Sequence, residues 1–278
     1  MGRADIDFAL DLTAREGWGF LRKDLERLLA LTPNGSFIAR LDGRRVGLLT
    51  TICHGRCCWI GNVAVASNFR HGGIGRQLVR HALAFARTRG LDRTSLVCRQ
   101  ELSGFYRRLG FSAGRAIAGM SGTPGKRVPA ARDASVVPVT MALLPRVARL
   151  DSDCCGDNRS AMLTSFWRDM RGGFLVHLDG KTVDGFIVGK PGAGAIEIGP
   201  WTARRGKEDA AFALFHALRA EMRGPVELYV PAGQRHLIRF LEDEGLRVNH
   251  LFREMGIGGP RPPAKEARML AIAGLEKG

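Results

Sequence analysis

The sequence lacks the long apolar segments that would place a chain in a membrane. No apolar run approaches the roughly 18 residues that a membrane-spanning helix needs. The segment Met1–Asp7 carries acidic side chains and no apolar core, so it does not match a secretory signal. We therefore expect a cytoplasmic protein without a membrane partner.

The sequence also lacks any C-x-x-C pair. Its six cysteines include two sets of sequence neighbours and are Cys53, Cys57, Cys58, Cys98, Cys154 and Cys155. This spacing suits neither a zinc site nor a disulfide framework. A metal site from Cys53, His54 and Cys57 is a poor alternative. We expect reduced thiols that serve mainly as small apolar residues, and no bound metal.

Positive charge is abundant and unevenly distributed. The net charge is +15, and residues 1–133 hold 22 Lys and Arg against 10 Asp and Glu, whereas residues 134–278 hold 20 against 17. A basic first half favours anionic partners such as a phosphorylated cofactor or nucleic acid. Because 35 of the 42 basic residues are Arg, a compositional bias is an alternative explanation. No basic block alternates with aromatic residues, so a nucleic-acid partner is not expected.

The order of predicted elements repeats in the two halves of the chain. Leu41-Asp42-Gly43 recurs as Leu178-Asp179-Gly180, at an offset of 137, and Gly110 recurs as Gly245, at an offset of 135. Such a repeat indicates a duplicated fold. In the first half, periodicity predicts helices over 20–30, 74–89 and 103–109 and strands over 36–41, 46–53, 59–65, 94–98 and 111–117. In the second half, it predicts helices over 207–222 and 234–244 and strands over 174–178, 183–189, 195–199, 226–230 and 246–252. A short helix is predicted over 264–272.

A glycine-rich segment, Arg70-His71-Gly72-Gly73-Ile74-Gly75, joins the third of these strands to the following helix. Free amide groups and the positive end of the helix dipole make such a turn a phosphate-binding device. The segment lacks the Gly-Lys-Ser/Thr of a Walker A loop and the glycine spacing of a dinucleotide-binding loop. We therefore predict a phosphate site of another type, with a simple tight turn as the alternative.

The glycine-rich segment and several other motifs resemble those of a known family. Arg70-x-x-Gly73-x-Gly75 resembles the Arg/Gln-x-x-Gly-x-Gly/Ala loop of the GNAT superfamily of N-acetyltransferases. Val63-Ala64-Val65 resembles the family's third core strand, which splays and pairs with the pantetheine arm. The segment Phe105–Phe111 resembles its late helix and the Gly-Phe that follows. The segments Ala14–Trp18, Gly199–Trp201 and Arg253–Met255 are similar to a bacterial tandem subgroup with a degenerate second domain.

The resemblance implies an α/β (α+β) protein with two tandem GNAT-like domains, each a mixed, mostly antiparallel sheet flanked by helices. The expected organisation is a catalytic domain over 1–122 that binds acetyl-CoA and a linker over 123–133. A degenerate domain over 134–258 would cover the acceptor side, followed by a tail over 259–278. The second domain lacks the loop, since Ala203–Lys207 has one glycine, and Leu241 stands at the position equivalent to Tyr106. We therefore expect it not to bind the coenzyme productively.

The implied activity is acetyl transfer from acetyl-CoA, as co-substrate, to a primary amine of a small molecule or larger acceptor. Tyr106 would be the general acid at the thioester sulfur. The coenzyme would contact Val63, Ala64, Val65, Arg70, His71, Gly72, Gly73, Ile74, Gly75, Arg76 and Arg99. Many family members carry Asn where this chain has Arg99. The general base is open among Glu16, His54, Glu101 and a water relay, and Glu197, Trp201 and Tyr229 are candidate pocket residues or core residues. A silent CoA-binding sensor and a nucleic-acid-associated protein are the alternative functions.

Overall fold

Two units make up the fold of the chain. The computed structural model describes residues 1–125, 133–259 and 264–278. Unit 1 comprises Met1–Gly114, Arg253–Gly259 and Leu275–Gly278, and unit 2 comprises Arg115–Phe252 and Pro260–Gly274. Most of the predicted linker, residues 126–132, and the start of the predicted tail, residues 260–263, lie outside the described residues.

The described residues form eight α-helices and twelve strands. The helices are α1 (Ile6–Arg15), α2 (Arg22–Leu31), α3 (Ile74–Thr88), α4 (Ser103–Arg107), α5 (Leu144–Cys155), α6 (Ser160–Asp169), α7 (Glu208–Glu221) and α8 (Arg235–Asp243). The strands are β1 (Phe37–Leu41), β2 (Arg44–His54), β3 (Cys57–Val65), β4 (Arg93–Arg99), β5 (Ser112–Gly122), β6 (Val136–Pro138), β7 (Phe174–Asp179), β8 (Thr182–Pro191), β9 (Ile196–Arg204), β10 (Val226–Pro231), β11 (Leu246–Ile257) and β12 (Ala267–Ala271). No helix in this described part of the chain is long and apolar enough to cross a membrane.

Unit 1 is built on a mixed sheet with the order β1-β2-β3-β4, followed by the last residues of β11. β1, β2 and β3 pair in antiparallel fashion, whereas β3 and β4 are parallel. The amphipathic helix α3 buries Leu78, Val79 and Ala82 against sheet residues such as Ile60 and Leu96. The helix ends at Thr88, and Gly90, which follows the C-cap residue Arg89, has a φ of 67° that suits a C-terminal glycine cap.

Unit 2 repeats this plan with the strand order β11-β5-β10-β9-β8-β7-β6 and an additional strand, β12, paired to β9. Its largest buried side chain, Trp201, stacks on Phe215 of α7 with the ring centroids 5.7 Å apart. Of the two interpretations open for Trp201, the structure supports the core residue.

The fold class predicted from the sequence is confirmed: each unit has a mixed sheet flanked by helices. The repeat extends to the positions of the β-bulges. In unit 1 a bulge lies next to the pair of Thr50 and Gly61, and in unit 2 a bulge lies next to the pair of Gly189 and Ile198. Gly61 and Ile198 are separated by the same 137 residues as the two Asp-Gly turns.

The helix predicted over 264–272 is wrong, because this segment contains strand β12. Its residues favour a helix locally, but β12 pairs along β9 from Ala267 to Ala271. Strand pairing therefore overrides local propensity here. Helices α1, α5 and α6 have no counterpart among the predicted elements.

Candidate active site

The parallel strands β3 and β4 separate halfway along their length. Their pairing runs from Cys57 opposite Arg93 to Trp59 opposite Ser95, and among the described residues no pair follows it. Both strands nevertheless continue, β3 to Val65 and β4 to Arg99. A cleft therefore opens between the carboxyl-terminal ends of the two strands.

A β-bulge in β3 begins this cleft. Thr50 of β2 lies opposite Gly61, whereas Leu48 lies opposite Ala64, so β3 carries one extra residue at this point. Asn62 adopts a positive φ of 52°, and its side-chain amide donates a hydrogen bond of 3.1 Å to Thr50 Oγ1. Bulges re-aim a strand, and this one turns β3 away from β4.

Beyond the bulge, one edge of β3 has no strand partner among the residues that the structure describes. Ala64 and Val65 pair with Leu48 and Gly47 of β2. The amide of Ala66 also points toward β2, where it donates to Val46 O at 2.9 Å. Because main-chain groups alternate in direction along a strand, the groups of Val63 and Val65 face the cleft. The Val65 carbonyl accepts a hydrogen bond of 3.0 Å from Arg70 Nε.

The glycine-rich loop lies between the end of β3 and helix α3. His71 and Gly73 adopt positive φ angles of 66° and 80°, and α3 begins at Ile74. In residues 71–76, the main-chain amides have no acceptor within the described chain. These amides and the positive end of the helix dipole form a site that favours an anion.

Two glycines of this loop have different roles. A Cβ on Gly73 would meet no atom within 4 Å, so this part of the backbone is open on the outside. A Cβ on Gly75 would instead lie 3.8 Å from Phe105 Cζ and 3.9 Å from Val65 Cγ2. The loop therefore packs against β3 and α4 at Gly75.

Arg70 is held beside the loop by an acidic residue. Its guanidinium forms an ion pair with Glu16, and both side chains are partly exposed. Glu16 is thus engaged with the first loop residue, which argues against a role as a free general base.

An arginine-lined cavity of about 360 Å³ lies beside α3. Its lining residues are Arg80, Leu83, Arg87, Arg108 and Leu109. Arg76, which belongs to the predicted loop contacts, precedes Arg80 by one helical turn. This cavity was not predicted from the sequence, although the spacing of Arg76, Arg80 and Arg87 places them along one side of a helix.

Tyr106 lies in the short helix α4 and is almost fully buried. Its ring makes edge contacts with Phe105 and Phe111, with the centroids 5.0 and 5.7 Å apart. Burial, with a smaller contribution from the neighbouring Cys98 thiol, raises the pKa of Tyr106 well above its usual range. The phenol therefore stays protonated at neutral pH, and within the described residues its hydroxyl has no hydrogen-bond partner.

The remaining predicted residues occupy different positions. Arg99 is exposed at the end of β4, four residues beyond the last pair with β3. Glu101 is exposed in the 3₁₀ turn that follows. His54 is buried at the end of β2 opposite Cys57, at the closed end of the strand pair. The structure therefore does not place His54 beside the bulge.

The segment Leu275–Gly278 packs on β3 just before the bulge. The indole of Trp59 donates a hydrogen bond of 3.0 Å to Leu275 O. A side chain on Gly61 would collide with Glu276, which is itself buried. The sequence carried no signal for this contact, because more than 200 residues separate the partners.

Unit 2 contains the same strand separation, but its cleft is filled. Pairing of β9 with β10 ends at Ile198 opposite Leu228. Beyond this point β12 pairs with β9, with Ala271 opposite Trp201, and Ile272 donates a hydrogen bond of 3.0 Å to Tyr229 O. The strand edge that is free in unit 1 is therefore occupied in unit 2 by the chain itself.

Comparisons with known proteins agree with this architecture. A model described as the acetyltransferase (GNAT) family matches residues 6–111, and one described as an acetyltransferase (GNAT) domain matches residues 147–271. No curated protein matches the sequence.

Several solved structures share the fold. A candidate acetyltransferase from Pyrococcus horikoshii superposes with a TM-score of 0.84 at 21% identity, covering 100% of this chain and 94% of that chain. A GCN5-related N-acetyltransferase from Sphaerobacter thermophilus gives 0.65 at 18% identity, covering 95% of each chain. A tandem GNAT protein from the clavulanic acid biosynthesis pathway gives 0.63 at 18% identity, covering 93% and 96%.

The duplicated mixed sheet, with a strand cleft beside an amide-rich loop in unit 1, agrees with the matches to acetyltransferase family models. The chain belongs to the GNAT acetyltransferase family and carries two domains of that family in tandem.

Proposed function

We propose that this protein is an N-acetyltransferase that transfers the acetyl group of acetyl-CoA to a primary amine, with unit 1 as the catalytic domain. The observation that carries the proposal is the combination of a free β3 edge with the amide-rich start of α3. The first offers main-chain donors and acceptors to an amide-containing chain, and the second offers donors to a diphosphate.

The coenzyme fits this arrangement chemically. We assign its diphosphate to Arg70, His71, Gly72, Gly73, Ile74, Gly75 and Arg76, and its pantetheine amides to Val63, Ala64 and Val65. The arginine-lined cavity beside α3 and the exposed Arg99 suit the remaining phosphate, because guanidinium groups recognise phosphate with charge-assisted hydrogen bonds. When bound, acetyl-CoA supplies an activated acetyl thioester.

Tyr106 is proposed to hold a proton at its hydroxyl close to the sulfur. Burial keeps this group protonated, and its hydroxyl, which has no hydrogen-bond partner in the described part of the chain, is able to donate a hydrogen bond. A thiol has a pKa of about 8.5 and an ordinary phenol one of about 10. Because the pKa of Tyr106 lies higher still, full proton transfer to a thiolate is uphill. We therefore assign Tyr106 mainly as a donor that stabilises developing negative charge on sulfur.

Unit 2 is proposed not to bind the coenzyme. β12 uses the strand edge that a pantetheine arm would need, and the loop after β9 has one glycine, Gly206, where unit 1 has three. The core position of Leu241, in place of a tyrosine, agrees with this assignment.

Calorimetry and a thiol-release assay test the proposal together. The full chain is titrated with CoA and acetyl-CoA, and binding of one equivalent is expected. Acetyl-CoA is then incubated with amines of different size and charge, and release of free thiol is followed. Absence of heat with both ligands from a folded sample would refute coenzyme binding. Binding without amine-dependent thiol release across the panel would refute the transferase and leave a coenzyme-binding protein.

A further inference from the structure

Two cysteines of unit 1 face each other across neighbouring strands. Cys53 of β2 lies directly opposite Cys58 of β3 in the antiparallel register. The amide of Cys53 donates a hydrogen bond of 2.9 Å to Thr32 Oγ1, so it is not donated to Cys58. The two residues therefore form a non-hydrogen-bonded pair, for which the Cα atoms are about 4.5 Å apart and the side chains are closest. That separation lies within the range of disulfides, at its short end.

We propose that Cys53 and Cys58 form a reversible disulfide under peroxide, with Cys53 oxidised first and Cys58 as the resolving thiol. Both thiols are free in the structure. The proposal rests on strand register and exposure, and it does not depend on the proposed acetyltransferase activity.

The two thiols differ in exposure and in pKa, as expected for a reactive thiol and a resolving thiol. Cys53 is partly exposed, and a hydrogen bond from Cys58, together with Arg89 and the hydroxyls of Thr32 and Thr51, lowers its pKa to about 7. Cys58 is fully buried, and its hydrogen bond to Cys53 together with burial raises its pKa. The thiolate is the form that reacts with an oxidant, and the partly exposed Cys53 can supply it. The buried Cys58 thiol stays protonated.

The chemistry balances in two steps. The Cys53 thiolate attacks one oxygen of hydrogen peroxide, so that an S–O bond forms, the O–O bond breaks, and the leaving hydroxide takes a proton to become water. The Cys58 sulfur then attacks the sulfenic sulfur, so that the S–S bond forms, the S–O bond breaks, and the leaving hydroxide takes the Cys58 proton. Two thiols are oxidised and one peroxide is reduced. A dithiol reverses the result by thiol–disulfide exchange.

Cys57 provides a matched control. It is the sequence neighbour of Cys58 and is also buried, but adjacent residues in a strand point to opposite faces. Its thiol lies 3.8 Å from Ser95 Oγ of β4. Substitution of Cys57 by Ser therefore retains a hydroxyl partner for Ser95 and should leave the Cys53–Cys58 pair unchanged.

Peptide mapping tests the pairing, because Arg56 separates the thiols. Trypsin places Cys53 in the peptide 46–56 and both Cys57 and Cys58 in the peptide 57–70. The full chain is treated with hydrogen peroxide, blocked with N-ethylmaleimide and digested. We expect the two peptides to be joined, and the joined species to disappear after treatment with dithiothreitol.

Three variants assign the roles of the thiols. Cys57→Ser should keep the linkage, and Cys53→Ser should abolish it. Cys58→Ser should leave Cys53 as a sulfenic acid that dimedone traps. At pH 7, iodoacetamide should label Cys53 roughly tenfold faster than an ordinary thiol, because about half of it is thiolate. Unlinked peptides after oxidation, or a linkage that persists in Cys58→Ser, would overturn the proposal.

Discussion

Substitution of Gly73 by Ala separates coenzyme binding from folding. Gly73 precedes α3 with a φ of 80°, and an added Cβ would meet no protein atom within 4 Å. The methyl group therefore causes no collision inside the protein. It would, however, project from the backbone surface that we assign to the diphosphate.

The structure allows both effects to be estimated. An L-residue in the left-handed region costs roughly 1–2 kcal/mol, which lowers Tm by roughly 2 to 8 °C in a chain of this size. Displacing the diphosphate loses at least one charge-assisted hydrogen bond of about 1.5–3 kcal/mol. The Kd for CoA should therefore rise by about 10- to 150-fold.

Gly90 is the matched control, because it lies at the other end of α3. Its φ is 67°, and its added Cβ would also meet nothing within 4 Å. Gly90→Ala should lose a similar amount of stability but keep its affinity for CoA. Thermal unfolding and isothermal calorimetry on both variants measure the two quantities. Normal CoA affinity in Gly73→Ala, or an equal loss of affinity in Gly90→Ala, would refute the assignment of the loop.

Three further outcomes are expected. Tyr106→Phe should lower kcat by at least about tenfold with nearly unchanged CoA affinity, since the ring contacts remain. Steady-state kinetics with an active amine measures kcat, and an unchanged kcat would remove Tyr106 from the mechanism. Arg108→Ala should reduce the preference for CoA over 3′-dephospho-CoA roughly tenfold, whereas Arg107→Ala, which is exposed but outside the cavity lining, should preserve it in competition binding. Burial raises the pKa of both tyrosines, Tyr106 and Tyr229. The two protonated tyrosines therefore contribute fully to the free energy of unfolding below a pH of about 10. This contribution is lost as the pH rises toward the pKa values of the folded state. Phenolate absorbance should appear only together with unfolding followed by circular dichroism, and ionisation in a folded chain near pH 10 would contradict this.

Local patterns in the sequence were sufficient to predict most of unit 1. The helical spacing of apolar residues between Ile74 and Ala86 depends only on α3 itself, and Gly90 follows directly after the C-cap of the helix. The glycines of the loop were recognised because a phosphate-binding turn needs several free amides within a few residues. The resemblance to the GNAT family then supplied the expected roles of Val63 and Tyr106, which remain predictions.

Contacts between distant residues could not be predicted in this way. The segment 264–272 has a composition that suits a helix, and only the free edge of β9 makes it a strand. The arginine-lined cavity combines residues of α3 with Arg108. Neither the ion pair between Glu16 and Arg70 nor the packing of Glu276 against Gly61 leaves a local signal.

The sequence by itself determined the duplicated order of elements, the family and the position of the amide-rich loop, because each of these depends on residues close together in the chain. Only the tertiary structure decided which strand edge is free. The cleft stays open after β3, but β12 pairs with the corresponding edge of β9. In the same way, the register of β2 and β3 places Cys53 opposite Cys58. Hydrogen bonding between strands fixes these pairings, and it depends on the folded backbone rather than on spacing in the sequence.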